Sequence, residues 1–267
     1  MEWREVLMAL EHRLADLEAH GVRHLNVAAD PALAELLRWT PRTAPTAPPR
    51  PAPLVRPVPA DPASPDAAPS AEEPRQAPGE IGSIESLLFQ FRNCTRCKLA
   101  AGRTRLVFGV GETERPRLMF IGEGPGADED RQGLPFVGRA GRLLTGFIEA
   151  LGLTRDDVYI TNVVKCRPPG NRNPEADEIA ACRPILQRQI ELLDPALIVV
   201  LGNVPLRTLN PAAGGITRER GRPFTYQRWQ VLPTFHPSYL LRNSGALAAC
   251  WADFRQAFAL AYDGERP

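Results

Sequence analysis

Lysine is almost missing from this chain. Of its 32 basic residues only Lys98 and Lys165 are lysines. We read that bias as genome base composition more than as function. Histidine is scarce too, and His236 stands alone after residue 80. No uninterrupted apolar run reaches the roughly 18 residues that a membrane-spanning helix needs. The opening, MEWREVLMALEHRL, carries acids where an export signal has a basic start and an apolar core. No Gly-Lys-Ser or Gly-Lys-Thr follows any glycine-rich stretch, which excludes a Walker-type phosphate loop. The expectation is a soluble, cytoplasmic monomer with no membrane attachment.

Proline, by contrast, is in excess. The chain has 28 prolines in 267 residues, where ordinary usage would give about 13. Residues 41–80 alone hold 13 Pro and 9 Ala. Such a stretch cannot bury enough apolar surface to offset the entropy of ordering it. It reads as an extended, disordered linker. Three parts follow: a helical accessory segment (1–40), the linker (41–80) and one single-core domain (81–267). In the first part Val6, Leu7, Leu10, Leu14 and Leu17 fall at helical spacing, and a second helix is expected from Ala32 to Trp39. The plain reading is a helical hairpin without chemistry; the sharper one is a docking module for a protein partner. Charge divides along the same lines. The whole chain is +1, but residues 81–267 carry 24 basic against 19 acidic residues, a net +5. That balance is compatible with an anionic partner.

Within the domain, buried strands are expected at Leu118–Ile121, Val158–Ile160, Ala196–Leu201 and Trp229–Leu232. Helices are expected from Arg139 to Leu151, Pro174 to Leu193 and Ala246 to Ala259. Strand–helix alternation argues a three-layer α/β/α fold around a mostly parallel, four-stranded sheet. In such sheets ligands sit beyond the carboxyl ends of the strands.

Cysteine chemistry stands out first. Cys94-Thr95-Arg96-Cys97 is a C-x2-C turn, which aims two thiolates at one metal group. Cys166 and Cys182 are available to complete the set, and spacing alone leaves zinc and an iron–sulfur cluster both open. Cys250, alone in an apolar helix, reads as a small core residue.

The strand ends carry the other motifs. After the first come GEGPGADED (122–130) and GLPFVGRAG (133–141). The glycines let backbone approach a ligand, the acids suit water or a developing cation, and Phe136 suits stacking on a flat ring. After the second comes TNVVKCRPPGNRNP (161–174). The Asn162 amide can pair with a base edge through one donor and one acceptor. Lys165, Arg167 and Arg172 suit phosphates. After the last comes HPSYLLR (236–242), where His236 sits at the rim and Tyr239, Leu240 and Leu241 form an apolar tip beside Arg242. Such a wedge can enter a base stack once a nucleotide is extruded.

These four motifs, in this order with the four cysteines, make residues 85–260 resemble the family 4 uracil-DNA glycosylases, the iron–sulfur type of bacteria and archaea. The resemblance does not cover residues 1–80. It implies cleavage of the N-glycosidic bond of uracil in DNA, leaving an abasic site for base excision repair. It implies a structural [4Fe–4S] cluster on Cys94, Cys97, Cys166 and Cys182. It implies a uracil pocket of Gly122, Glu123, Gly124, Phe136, Asn162 and His236. Phe136 would stack on the base, Asn162 would read O4 and N3–H, and His236 would donate to O2. Glu123 is the first choice to stabilise the sugar cation or position water, with Asn171 holding that water and Glu129 a weaker candidate. DNA contacts are expected from Arg139, Lys165, Arg167, Arg172, Tyr239, Leu240, Leu241 and Arg242. Gly124 stands where family 1 enzymes place a catalytic Asp, so their mechanism cannot be copied directly. A DNA-crosslinking branch of the superfamily is disfavoured, because no histidine lies between residues 80 and 235. A superfamily member that binds uracil-DNA without turnover is the alternative.

Overall fold

A computed structural model describes residues 82–262. The helical segment expected over 1–40 and the linker over 41–80 lie outside the described residues. In chain order the elements are α1 (Ile84–Phe91), β1 (Val110–Gly111), β2 (Leu118–Gly122), α2 (Ala127–Gln132), α3 (Arg139–Ala150), β3 (Tyr159–Asn162) and α4 (Ala176–Leu193). They continue with β4 (Leu197–Leu201), α5 (Asn203–Leu209), α6 (Ile216–Glu219), β5 (Phe224–Tyr226), β6 (Trp229–Thr234), α7 (Pro237–Leu240) and α8 (Leu247–Tyr262).

One sheet organises them, in the order β1-β3-β2-β4-β6-β5. Its inner four strands run parallel and are the four that the sequence predicts. The expected strand count is too low, however. Two short antiparallel edge strands flank the parallel core, β1 on β3 and β5 on β6. Every residue of β2 and of β4 is buried. Strands covered on both faces read as continuous apolar runs, which is how Leu-Met-Phe-Ile and Leu-Ile-Val-Val-Leu appear.

The layers follow from the pleat. Phe120 stacks on Phe254 of α8 at 5.6 Å, and Phe254 stacks on Phe147 of α3 at 4.6 Å, so α3 and α8 share one face. Tyr159 is in register with Met119, one residue from Phe120, and therefore points to the other face. There its hydroxyl accepts from Gln189 of α4 at 3.2 Å, and α1 packs on α4. Helices thus cover both faces. The four parallel strands all end at the same edge, at Gly122, Asn162, Leu201 and Thr234, and the loops from those ends build the site.

Candidate active site and cysteine-lined cavity

Glu123, Phe136, Asn162, Asn171 and His236 line one cleft at that edge. Asn162 closes β3, is 2% exposed, and its Oδ1 has no hydrogen-bond partner. Leaving a buried amide oxygen unpaired costs about 1–3 kcal/mol, so such an atom beside a cleft is an acceptor kept for a ligand. Gly122 makes room for it. A Cβ there would sit 2.4 Å from both Asn162 Oδ1 and Phe136 Cζ, so only glycine admits this approach.

Phe136 is held in an uncommon backbone conformation, φ 53°, which is costly for a bulky residue. Arg155 holds it there. Its guanidinium donates to the carbonyls of Pro135 at 2.7 Å and Phe136 at 3.0 Å. Gly141 adds to this, since a Cβ on it would lie 1.9 Å from the Phe136 carbonyl oxygen. Nothing near Arg155 in the sequence marks it for this task.

His236 follows β6, with its ring centroid 5.6 Å from that of Phe136. The Ser238 backbone N–H donates to His236 Nδ1 at 3.1 Å. A backbone N–H can only donate, so Nδ1 carries the lone pair and the proton of the neutral ring is on Nε2. Burial, helped by the charge of Arg242, pushes the ring pKa down to about 4. The imidazole is therefore neutral near pH 7 and keeps an N–H to donate.

The same burial has a measurable price in stability. As pH falls, the unfolded chain takes up this proton near the ordinary value of about 6.5, while the folded ring resists until about 4. Stability from this group is present above pH ~6.5 and is lost towards pH 4, about 3 kcal/mol in all. His236→Gln should flatten the fall in unfolding free energy between pH 7 and pH 4.5 by about 2–3 kcal/mol, read by denaturant titration. An equally steep fall in the variant would show that the ring is not so protected.

The end of β6 is anchored from below. Thr234 Oγ1 donates to buried Asp253 at 2.6 Å, and Arg220 grips the same carboxylate at 2.9 and 2.6 Å. Arg220 lies 5.5 Å from the Phe235 ring centroid, and Phe235 stacks on Tyr239 at 4.9 Å.

The acids divide their work. Glu123 is half-buried, and burial raises its carboxyl pKa above the ordinary value. Glu129 is a brace rather than a free base. One of its oxygens accepts from Val137 N and Gly138 N, both at 2.9 Å, and the other from Gly126 N at 3.1 Å. It thereby ties the two glycine-rich loops together. Asn171 is exposed, and its Oδ1 accepts from Arg167 Nε at 2.7 Å, which leaves the amide N–H groups available. Gly124 also lines the cleft, close to Val164.

Two of the expected DNA contacts, Lys165 and Leu240, need correction. Lys165 is 1% exposed, so it cannot meet a phosphate; its Nζ donates to Thr161 Oγ1 and the Asn162 carbonyl, both at 2.7 Å. Burial pulls its pKa down while Cys182 and Cys166 pull it up. Leu240 is 2% exposed and turns into the core, because α7 is a helical turn and three consecutive residues cannot share one side. Tyr239 and Leu241, 39% and 42% exposed, make the tip without it. Arg172 is committed to Glu178 by a two-pronged ion pair at 2.8 and 2.7 Å. Arg139 and Arg242 are exposed, and Arg167 is half-buried.

All four expected cysteine ligands line a second, small cavity with Leu99, Ile185 and Lys165. Cys94 and Cys97 come from the turn after α1, Cys166 from the loop after β3, and Cys182 from α4. Arg103 donates to the Cys94 carbonyl and to Cys166 Sγ, the latter at 3.5 Å. Lys98 is paired with Glu175 and Asp177 at the start of α4. Burial raises the Cys166 thiol pKa and pushes that of Cys182 up to about 12. Among the described residues, no group of three or more His, Cys, Asp or Glu side chains is arranged to hold a metal ion. The fifth cysteine, Cys250, is buried beside Thr234 at 3.4 Å.

The description "Uracil DNA glycosylase superfamily" belongs to the family model that matches residues 108–256. A type-4 uracil-DNA glycosylase of Thermotoga maritima is 50% identical over 162 residues, covering 60% of this chain and 84% of that protein. One of Sulfurisphaera tokodaii is 43% identical over 195 residues, covering 70% and 88%. One of Saccharolobus solfataricus is 43% identical over 185 residues, covering 66% and 85%. With the parallel sheet, the cleft at its carboxyl edge and the four gathered cysteines, these matches show that the chain belongs to the type-4 branch of the uracil DNA glycosylase superfamily.

Proposed function

We propose that this protein removes uracil from DNA by hydrolysing its N-glycosidic bond. The observation that carries the reading is the unpaired Asn162 Oδ1, buried beside Phe136 and within the same cleft as the donating Nε2 of His236. Uracil must leave the base stack to reach them, at a cost of a few kcal/mol. Phe136 then offers a face for the flipped ring. Asn162 Oδ1 accepts from uracil N3–H, and its amide donates to O4. Cytosine presents the reverse pattern and would leave both amide groups unsatisfied.

Bond cleavage sends the electron pair of the C1′–N1 bond onto uracil. The negative charge that develops at O2 meets the neutral His236 Nε2–H, a preorganised donor in a dry site. The sugar becomes cation-like at C1′. Glu123 stabilises it and takes a proton from the attacking water, whose oxygen ends on C1′; the Asn171 amide helps to hold that water. The uracil anion takes up a proton and Glu123 gives its own back through solvent, so the products are free uracil and an abasic sugar.

Cys94, Cys97, Cys166 and Cys182 would hold a [4Fe–4S] cluster. The donor set fits: four thiols line one cavity, supplied by three separate elements, with cations beside it. When bound, the group supplies mechanical linkage between those elements.

The test is incubation of the iron-loaded protein with a uracil-containing oligonucleotide, read as alkali-labile strand breaks. A chain of residues 81–267 should cut as well as the full chain, because every residue given a role lies after residue 80. Absence of breaks with iron-loaded protein would sink the reading.

A further inference from the structure

Cleft and cavity share one short stretch of chain. Asn162 lines the first, and Val164, Lys165 and Cys166 line the second. Lys165 lines the cavity and bonds the backbone of Asn162, whose residue lines the cleft. Its buried Nζ donates to Thr161 Oγ1 and to the Asn162 backbone carbonyl, each at 2.7 Å. Thr161 Oγ1 in turn donates to the Phe108 carbonyl at 2.8 Å.

Both acceptors of Lys165 are neutral. No ion pair of Lys165 occurs among the described residues, where its Nζ bonds only Thr161 Oγ1 and the Asn162 carbonyl. A buried cation without an anion is costly. The groups within reach that metal ligation would turn anionic are Cys166 and Cys182, both in the cavity wall that Lys165 shares. Metal-bound thiolates would supply the missing charge, since a ligating thiol is deprotonated.

We propose that Lys165 is a positioning residue that couples the cysteine cavity to uracil recognition. It takes its counter-charge from cluster-bound thiolates, fixes the Asn162 carbonyl with one hydrogen bond and is itself steadied by the other, to Thr161 Oγ1. The Asn162 amide, on the same residue, is thereby held at the angle that uracil needs. This rests on the cluster-bearing, uracil-excising reading given above.

The experiment uses the full, iron-loaded chain and Lys165→Met, which keeps length and removes charge. Iron and sulfide per chain, the cluster midpoint potential, kcat and KM on uracil-containing DNA are measured for both. The midpoint of Lys165→Met should move to a more negative value, because a nearby positive charge favours the reduced cluster. Its kcat should fall about 10–100-fold with KM within about twofold, the pattern of a misaligned reacting group. An unchanged midpoint overturns the charge half of the proposal, and an unchanged kcat overturns the positioning half. An iron-loaded wild type that cuts nothing overturns the function reading and the coupling with it; an active wild type matched by Lys165→Met overturns the coupling alone. If Lys165→Met does not fold or load iron, Thr161→Val replaces it. Removing that acceptor should lower kcat about tenfold at full iron content, and Thr161→Ser should recover the rate. Equal rates for the valine and serine variants overturn the proposal.

Discussion

Asn162→Ala is expected to lower kcat/KM on uracil-containing DNA by about 10²–10³-fold without loss of iron. Two hydrogen bonds to the flipped base disappear, each worth about 1.5–2 kcal/mol in a dry site, and every 1.4 kcal/mol is tenfold. The side chain is buried at 2% exposure, yet its Oδ1 contributes no hydrogen bond to the folded protein. Removing it therefore takes a ligand contact away without breaking an internal one, and the thermal midpoint should move little. That separation is what the experiment reads, by steady-state kinetics beside a melting curve. Comparable losses in both would mean that Asn162 serves the core and not the base. Specificity should soften as well, because the discrimination against cytosine lies in the same amide.

Cys94→Ser is expected to do the opposite: to strip iron and lower the melting temperature, whatever the state of the cleft. The cavity gathers side chains from the turn after α1, the loop after β3 and α4. Without a bound group these thiols face one another in an apolar space, with little to hold the turn except Arg103 and Lys98. Metal-binding energy is folding energy in such a site. A loss of about 3 kcal/mol in a domain of this size lowers Tm by about 6–12 °C. Cys250→Ala is the control, since Cys250 lies beside Thr234 and away from the cavity; it should retain iron. A full complement of iron in Cys94→Ser would remove that residue from the ligand set.

Much of the fold was legible because its central strands are buried on both faces. Such strands leave unbroken apolar runs, and those at Leu118 and Leu197 declare themselves. The edge strands did not, since β1 is two residues long and β5 pairs on one side only. In the site, Phe136, Asn162 and His236 were legible because each follows a strand that could be placed. Arg155 and Asp253 were not; their work is done on carbonyls and side chains far away in sequence. Lys165 misled for a related reason. A lysine among arginines reads as a phosphate contact, and only the packing shows that it points inward. Leu240 erred through local geometry, because one turn of helix sends neighbouring residues to different sides.

The strained Phe136 backbone, locked by Arg155 and Gly141, bears on the end of the catalytic cycle. The ring is set before any nucleotide arrives, so the conformational entropy of that loop is spent during folding and none is charged to binding. A slot of this kind cannot tell the base on its sugar from the same base released. On the proposed function, free uracil keeps the face, the O4 and the N3–H that it had in DNA, so it should compete for the slot that released it. Rigid recognition of this sort should slow the letting go, and inhibition by added free uracil is the kinetic mark to look for.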